Sequence, residues 1–379
     1  MQSKNKNRFN LSIMITDKFA SSLVQQVLAW IQSSSHIVIL THMSPDGDAM
    51  GSSLGLCHWL RLCDKQVSVV VPNTFPDFLS WLPSATEDLI YETDSEAADR
   101  LLAQADLIIC TDFNEPKRIG SLGDRLMEQH AAGKRVVVID HHLMVEEKTV
   151  PQTDNVLKLI YPDSPSASEL VYRLLLQMRA LQSNLPALNL DAATCIYTGM
   201  MTDTGNFSFN SNYPEMYEIV GDLVRLGVNK DAVYNSVFNS YKTDRMRLMG
   251  YCLYQKMRIY PEHHTALIYL SRKELYRFNF QSGDAEGIVN LPLQIKDIYY
   301  SCFMREDKVN PTEVNLANGS KIKVKISMRS QGDRPVNTMC HEVYNGGGHK
   351  NASGGEYYGP LPEAVERFLN NYQHYFKKD

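Results

Sequence analysis

Residues 36–55, HIVILTHMSPDGDAMGSSLG, carry the reading of this chain. His36 to Leu40 forms a short apolar run with strand character. It leads into a polar turn bearing His42, Asp46 and Asp48, and Gly51-Ser52-Ser53 then opens an apolar segment with helical spacing. One imidazole and two carboxylates at the carboxyl end of a strand suit a divalent metal, because the turn aims its oxygen donors one way. Pro-Asp-Gly is also ordinary turn chemistry, so this stretch alone leaves a plain connecting turn open.

Working outward, the same pattern recurs. Gln66 to Val71 reads as a buried strand, Leu107 to Cys110 as a third ending at Thr111-Asp112, and Arg135 to Ile139 as a fourth ending at Asp140-His141-His142. Helical spacing covers residues 17–34, 53–62, 166–180 and 191–201, the last running into Asp203. Short β-branched runs alternating with helices predict an α/β fold with a doubly wound parallel sheet, whose strand carboxyl ends collect the ligand site.

Beyond this domain, predicted over 1–213, residues 214–258 read as a helical connection of mixed charge, and 259–379 as a smaller α/β domain. There His264 to Leu270, Tyr299 to Arg305 and Lys321 to Arg329 have strand character. In the last run Ile322, Val324, Ile326 and Met328 alternate with Lys321, Lys323, Lys325, Ser327 and Arg329. NGGGHKNASGG (345–355) and a closing helix over 362–375 end the chain.

A length of 379 residues suits two domains, and 44% hydrophobic content with 21% charged residues gives a globular composition. The net charge of −5 argues against a general nucleic-acid coat protein but leaves a local basic patch open. Seven cysteines without a C-x-x-C pair favour reduced thiols and a cytoplasmic location over a disulfide framework. The polar N-terminus lacks a signal-peptide run, and no apolar stretch approaches the ~20 residues needed to span a bilayer.

Taken together and in order, these motifs resemble the DHH phosphoesterase superfamily. They are His42-x-x-x-Asp46-x-Asp48, Asp112 after a strand, Asp140-His141-His142 after VVVI, and Asp203 after a helix. Gly346 to His349 and the strand ending Met328-Arg329-Ser330 resemble the family's associated C-terminal domain. The resemblance spans ~36 to ~355, and the two-domain organisation looks like the oligoribonuclease/pAp-phosphatase branch. It implies a site in a cleft between the domains. It also implies a hydrolase acting on very short single-stranded oligonucleotides and on adenosine 3′,5′-bisphosphate, with no membrane partner and a homodimer.

By motif position, the resemblance assigns His42 and Asp46 to one divalent ion and Asp48, His141 and Asp203 to a second, with Asp112 bridging. This donor set suits Mn²⁺ better than Mg²⁺. A water shared by the ions would supply the attacking hydroxide. His142 is assigned to the substrate phosphate or the leaving oxygen, and Asp140 to orienting His141. Arg329, Gly347, Gly348 and His349 would grip phosphate in the C-terminal domain, and Arg118 is a further candidate contact. Taken singly, each has a plainer reading: a helix cap for Asp112, a turn for Asp203, a hydrogen-bonding histidine for His142, a glycine turn, a surface arginine.

Ser271-Arg272-Lys273 is similar to an element of manganese-dependent pyrophosphatases, but Ser271 with Glu274 also spells a capping box, which is the better account. The alternatives left standing are a linear or cyclic dinucleotide phosphodiesterase, a pyrophosphatase or exopolyphosphatase, and a nucleotide-binding module without catalysis.

Overall fold

The computed structural model describes residues 15–281, 283–308, 320 and 322–376. The chain divides into two compact units, 1–240 and 241–379.

In the first unit, α1 (Ser21–Ser33) precedes β1 (His36–Leu40), α2 (Gly47–Leu62), β2 (Gln66–Val71), β3 (Leu89–Ile90) and α3 (Tyr91–Gln104). Then come β4 (Leu107–Thr111), α4 (Ser121–Ala131), β5 (Arg135–Asp140), β6 (Val156–Ile160), α5 (Ala167–Leu181), α6 (Leu190–Asp203), α7 (Pro214–Arg225) and α8 (Lys230–Phe238). The strands run in the order β3-β2-β1-β4-β5-β6, and every pairing is parallel. The order reverses between β1 and β4, the switch point where open α/β sheets leave a crevice for ligand. Side chains alternate across the sheet as pleating requires. Ile37, Ile39, Ile109, Val137 and Ile139 pack beneath α1, α2 and α5–α8, while Val38, Leu40, Ile108, Val136 and Val138 pack beneath α3 and α4. The doubly wound sheet is as expected from the sequence. The four strands read there are β1, β2, β4 and β5, and the edge strands β3 and β6 went unread.

One helix contact governs the geometry of the site. Gly47, Gly51 and Gly55 line the face of α2 that meets α6. A Cβ at these positions would stand 2.3 Å from Thr202 Oγ1, 2.6 Å from the Cys195 carbonyl and 2.6 Å from Ile196 Cγ1. Only glycine admits so close an approach, and it brings the start of α2 beside the end of α6.

The helices α7 and α8 belong to the first core through Met216, Ile219, Leu223, Val233 and Val237. The second unit begins with α9 (Thr243–Tyr251), which packs through Leu248 on the other core. The stretch 214–258 is therefore shared between the units rather than standing between them, and the division falls after Ser240.

The second unit continues with β7 (Arg258–Tyr260), β8 (Thr265–Leu270), α10 (Arg272–Arg277), β9 (Tyr300–Lys308) and β10 (Ile322–Ser330). It ends with α11 (Asn337–Tyr344), β11 (Gly347–His349), β12 (Ala352–Tyr358) and α12 (Leu361–Tyr375). Its sheet, ordered β11-β12-β10-β9-β8-β7, is antiparallel except for the parallel β8–β9 pair. The glycine-rich 345–355 stretch forms a hairpin here, not merely a turn. Val324, Ile326 and Met328 face α11 and α12, as their alternation predicts. Lys321 lies outside the described residues. The opposite face is less open than a solvated basic surface: Lys323 is buried and pairs with Glu356 at 3.1 Å, and Lys325 approaches Asp307 at 3.4 Å. Ser271 and Glu274 close both arms of the expected capping box.

Candidate metal centre

The site forms around the carboxyl ends of β1, β4 and β5. After β1, Asp46 caps α2: its Oδ1 accepts the Asp48 and Ala49 N–H groups, both at 3.0 Å. That bond fixes the carboxylate, and its Oδ2 stands 3.8 Å from His42 Nε2. Asp48 lies in the first turn of α2, not in the preceding turn, because the helix starts at Gly47. Its two oxygens accept N–H groups from Ala167 (2.6 Å) and Ser168 (2.9 Å), the first residues of α5. A helix N-terminus thus holds this buried carboxylate in place.

Asp112 follows β4 with φ of 64°, a left-handed conformation in which aspartate is tolerated but uncommon. Its N–H donates to the Ile139 carbonyl, tying it to β5. The carboxylate lies between two imidazoles: Oδ2 is 3.2 Å from His42 Nε2, and Oδ1 is 3.3 Å from His141 Nε2. His141 Nε2 also lies 3.3 Å from Asp203 Oδ2 and 3.7 Å from Asp48 Oδ2. Groups of possible ligands here include His42–Asp46–Asp112 and Asp48–His141–Asp203, with Asp112–Asp140–His142 overlapping the first.

The histidines are set for this arrangement from behind. Nδ1 of His42 lies 2.9 Å from the Met43 carbonyl, and Nδ1 of His141 lies 3.2 Å from the Ser164 carbonyl. A carbonyl only accepts, so Nδ1 carries a proton and each Nε2 is left to face the carboxylates, where either a proton or a metal ion can lie between them. Asp140 is buried and fully engaged. Its Oδ2 accepts from Asn114 Nδ2 at 2.5 Å, and its Oδ1 accepts from the His141 N–H at 2.8 Å and from His142 Nδ1 at 2.8 Å. The ring that Asp140 orients is therefore that of His142, whereas the expectation from the sequence was His141.

Electrostatics show what the cluster lacks. Burial, and then the negative charges of Asp112 and Asp203, push the Asp48 carboxyl well above its ordinary range. Burial also opposes the charge on Asp112, but its neighbours His141 and His42 hold it well below that range. Burial disfavours the His42 and His141 imidazolium forms, yet the carboxylates outweigh it and raise both. Protons here take the place that cations would fill. Asp112 Oδ1 is buried without a well-formed hydrogen bond, and the four carboxylates of Asp46, Asp48, Asp112 and Asp203 converge on only two imidazoles, His42 and His141. These residues fit divalent metal ions.

Arg118, on the short turn after β4, donates to the Asp112 carbonyl at 3.4 Å, and its own carbonyl accepts the Met43 N–H. Its charge, after burial, lowers the pKa of His142. Arg118, His142 and the six metal-ligand candidates therefore share one site.

In the second unit, Arg329 on β10 lies opposite Ala352, which lies opposite His349 on β11, so both side chains leave one face of the sheet in one row. The glycines differ in role. A Cβ at Gly346 would stand 1.9 Å from the Gly354 carbonyl, and Gly348 has φ of 135°, whereas Gly347 faces open space. The Gly346 N–H already donates to the Cys340 carbonyl, which removes it from any phosphate cradle.

Sequence reasoning missed Asn114, Ser164, Ser168 and Gly199. Ser166 caps α5 by accepting the Glu169 N–H, a readable helix start. The carboxylate at that start lies about 120 residues upstream.

An α/β fold with acidic and imidazole ligands at its switch point defines a class, the metal-dependent phosphoesterases. The chain belongs to the DHH family: residues 36–200 match the DHH family N-terminal domain, and the longer similarities below run through most of the chain. The bifunctional oligoribonuclease and PAP phosphatase NrnA of Bacillus subtilis is 26% identical over 325 residues, covering 85% of this chain and 89% of that protein. The protein of the same name from Thermus thermophilus is 28% identical over 348 residues, covering 92% and 91%. The crystal structure of an exopolyphosphatase-related protein from Bacteroides fragilis superposes with a TM-score of 0.82 at 42% identity, covering 95% of this chain and 98% of that one. RecJ of Thermus thermophilus in complex with Mn²⁺ shares the fold, with a TM-score of 0.54 at 14% identity, covering 94% and 55%. No helix among the described residues is long and apolar enough to cross a membrane.

Proposed function

We propose that this protein hydrolyses very short oligonucleotides and adenosine 3′,5′-bisphosphate, using two divalent ions, with Mn²⁺ the preferred metal. The observation that carries the reading is Asp112 set between two imidazoles, one oxygen toward each ligand group. The names and coverage of the Bacillus and Thermus relatives support the substrate class. His42 and Asp46 would hold one ion, Asp48, His141 and Asp203 the other, and Asp112 both. Bound there, the ions supply charge neutralisation for the phosphoryl group and acidify water.

The chain's own residues do the rest. Arg118 brings a fixed positive charge for the substrate phosphate. Asp140 holds His142 with Nδ1 protonated and partly opposes the burial and the Arg118 charge that lower its pKa, so the ring is placed to pass a proton to the leaving oxygen once it is charged. An incoming phosphate dianion favours the charged form. Arg329, Gly347, Gly348 and His349 would hold the remainder of the nucleotide. Operation in the cytoplasm as a homodimer completes the proposal, and light scattering tests the latter.

The name of the Bacteroides structure favours one second reading, hydrolysis of polyphosphate. Product analysis with Mn²⁺ separates the two, comparing adenosine 3′,5′-bisphosphate, a 5′-phosphorylated RNA dinucleotide, a cyclic dinucleotide, pyrophosphate and polyphosphate, with Asp112→Ala as the blank. Turnover of the first two, lost in the variant, is expected. Turnover of polyphosphate or pyrophosphate alone would move the protein to the second reading.

A further inference from the structure

Away from Arg329 and His349, the same face of the second sheet leads to a groove with no assigned role. Strand β8 stops at Leu270, opposite Arg305, while β9 runs on to Lys308. Beyond the end of β8 no strand among the described residues pairs with β9 on that side, and α10 forms the far wall of a groove of about 380 Å³. That is within the ~300–1,000 Å³ typical of small-molecule sites. Its walls are aromatic and cationic. Tyr276 is 85% exposed, and Phe280 is half-buried with the Arg305 guanidinium 5.2 Å from its ring centroid. Asp307 is shared by Arg305 at 3.3 Å and Lys325 at 3.4 Å, so this pair of cations meets one carboxylate there. Asn279 and Gln281 add amide groups at the rim.

Register relates the groove to the row of Arg329. Arg329 lies opposite Ser301, and Lys325 opposite Arg305. Four residues of strand separate the two rows, ~13 Å at ~3.3 Å per residue. A nucleic-acid strand advances ~3.4 Å per stacked step and more when extended, so at most about four nucleotides span that distance. A flat π-face with an adjacent guanidinium is the arrangement on which bases stack whatever their identity.

From these features we infer that the Tyr276–Phe280–Arg305 groove is a stacking subsite for a distal nucleobase of single-stranded substrates three or more nucleotides long. The inference rests on the oligonucleotide reading above and adds a determinant of chain length. A bisphosphate or dinucleotide held at Arg329 and His349 ends before reaching it, whereas a tetranucleotide extends into it.

Calorimetric binding of unlabelled 5′-phosphorylated RNA di- and tetranucleotides, with Ca²⁺ in place of Mn²⁺, provides the test. Wild-type protein should bind the tetranucleotide more tightly. Phe280→Leu, which keeps an apolar side chain but removes the π-face, should shrink the tetra-to-di affinity ratio about 5- to 150-fold, the ~1–3 kcal/mol of one stacked base. Tyr276→Ala changes an exposed side chain, spares the core, and should shrink the same ratio. An equal wild-type affinity for both lengths, or a ratio unchanged in both variants, would overturn the subsite. Failure of the proposed activity shows separately, as absence of dinucleotide and bisphosphate turnover with Mn²⁺, while tetranucleotide binding still reports on the groove.

Discussion

A methyl group at Gly199 should damage the candidate metal centre without replacing any of its ligands. Gly199 lies on α6, where a Cβ would stand 2.0 Å from Ser168 Oγ, 2.9 Å from Ser168 Cβ and 2.8 Å from Asp48 Oδ1. The hydroxyl can rotate away, but Ser168 Cβ and the carboxylate must both move. That movement stretches the bonds of 2.6 and 2.9 Å by which the start of α5 holds Asp48. Overpacking of this kind costs ~1–3 kcal/mol, and helix propensity returns up to ~1 kcal/mol. The net loss should lower the melting temperature by a few degrees. Disturbing an oriented ligand should also weaken Mn²⁺ binding roughly 10- to 100-fold. The comparison is Gly250→Ala on α9, where a Cβ meets nothing within 4 Å. The same substitution there should stabilise by ~0.5–1 kcal/mol and leave Mn²⁺ affinity unchanged. Calorimetric Mn²⁺ titration and thermal melts of both variants decide the matter. Wild-type metal affinity in Gly199→Ala would refute the account of how Asp48 is held.

Three further outcomes follow from particular contacts. Asp140→Asn keeps the shape but loses the charge that His142 faces at 2.8 Å, so kcat should fall at least 10-fold with little change in KM; an unchanged kcat would remove His142 from proton transfer. Mn²⁺ should stabilise chelator-treated protein by about 2.7 kcal/mol at 100 times Kd, read as a melting temperature that climbs with concentration, and Asp203→Ala should blunt it; an unshifted melt would count against metal binding. Asp88 is the pH probe. Burial raises its carboxyl to about 8, against 3.8 in the unfolded chain, so its contribution to stability is full below pH ~4 and is lost as pH rises to ~8. Asp88→Asn should therefore be the more stable protein at pH 8 by about 2–4 kcal/mol, with the difference vanishing near pH 4; denaturant titrations at both pH values read it.

What the sequence made legible was local, and what it concealed was brought together by folding. β1, β4 and β5 are continuous apolar, largely β-branched runs buried on both faces, so their endpoints, with His42 and Asp112 just beyond β1 and β4 and Asp140 closing β5, could be read directly. β6 carries Lys158 in its middle and β3 has two residues, so neither presents such a run. The helices of 214–258 looked like a connection because mixed charge resembles a linker. Only their apolar stripes, meeting cores formed elsewhere, assign α7 and α8 to one unit and α9 to the other.

The candidate site divides in the same way. Residue types and spacing point to the ligands, but their orientation depends on partners that spacing does not encode. Asp48 meets the start of α5 some 120 residues later, His141 meets the Ser164 carbonyl, and Asp140 meets Asn114. Asp140 illustrates the consequence. Its place before His141 and His142 could not say which ring it holds, because the Ser164 carbonyl takes His141 Nδ1 and leaves His142 for Asp140. A backbone carbonyl from the loop before α5 thus decides which ring turns Nε2 to the carboxylates of Asp48, Asp112 and Asp203 and which is held by Asp140.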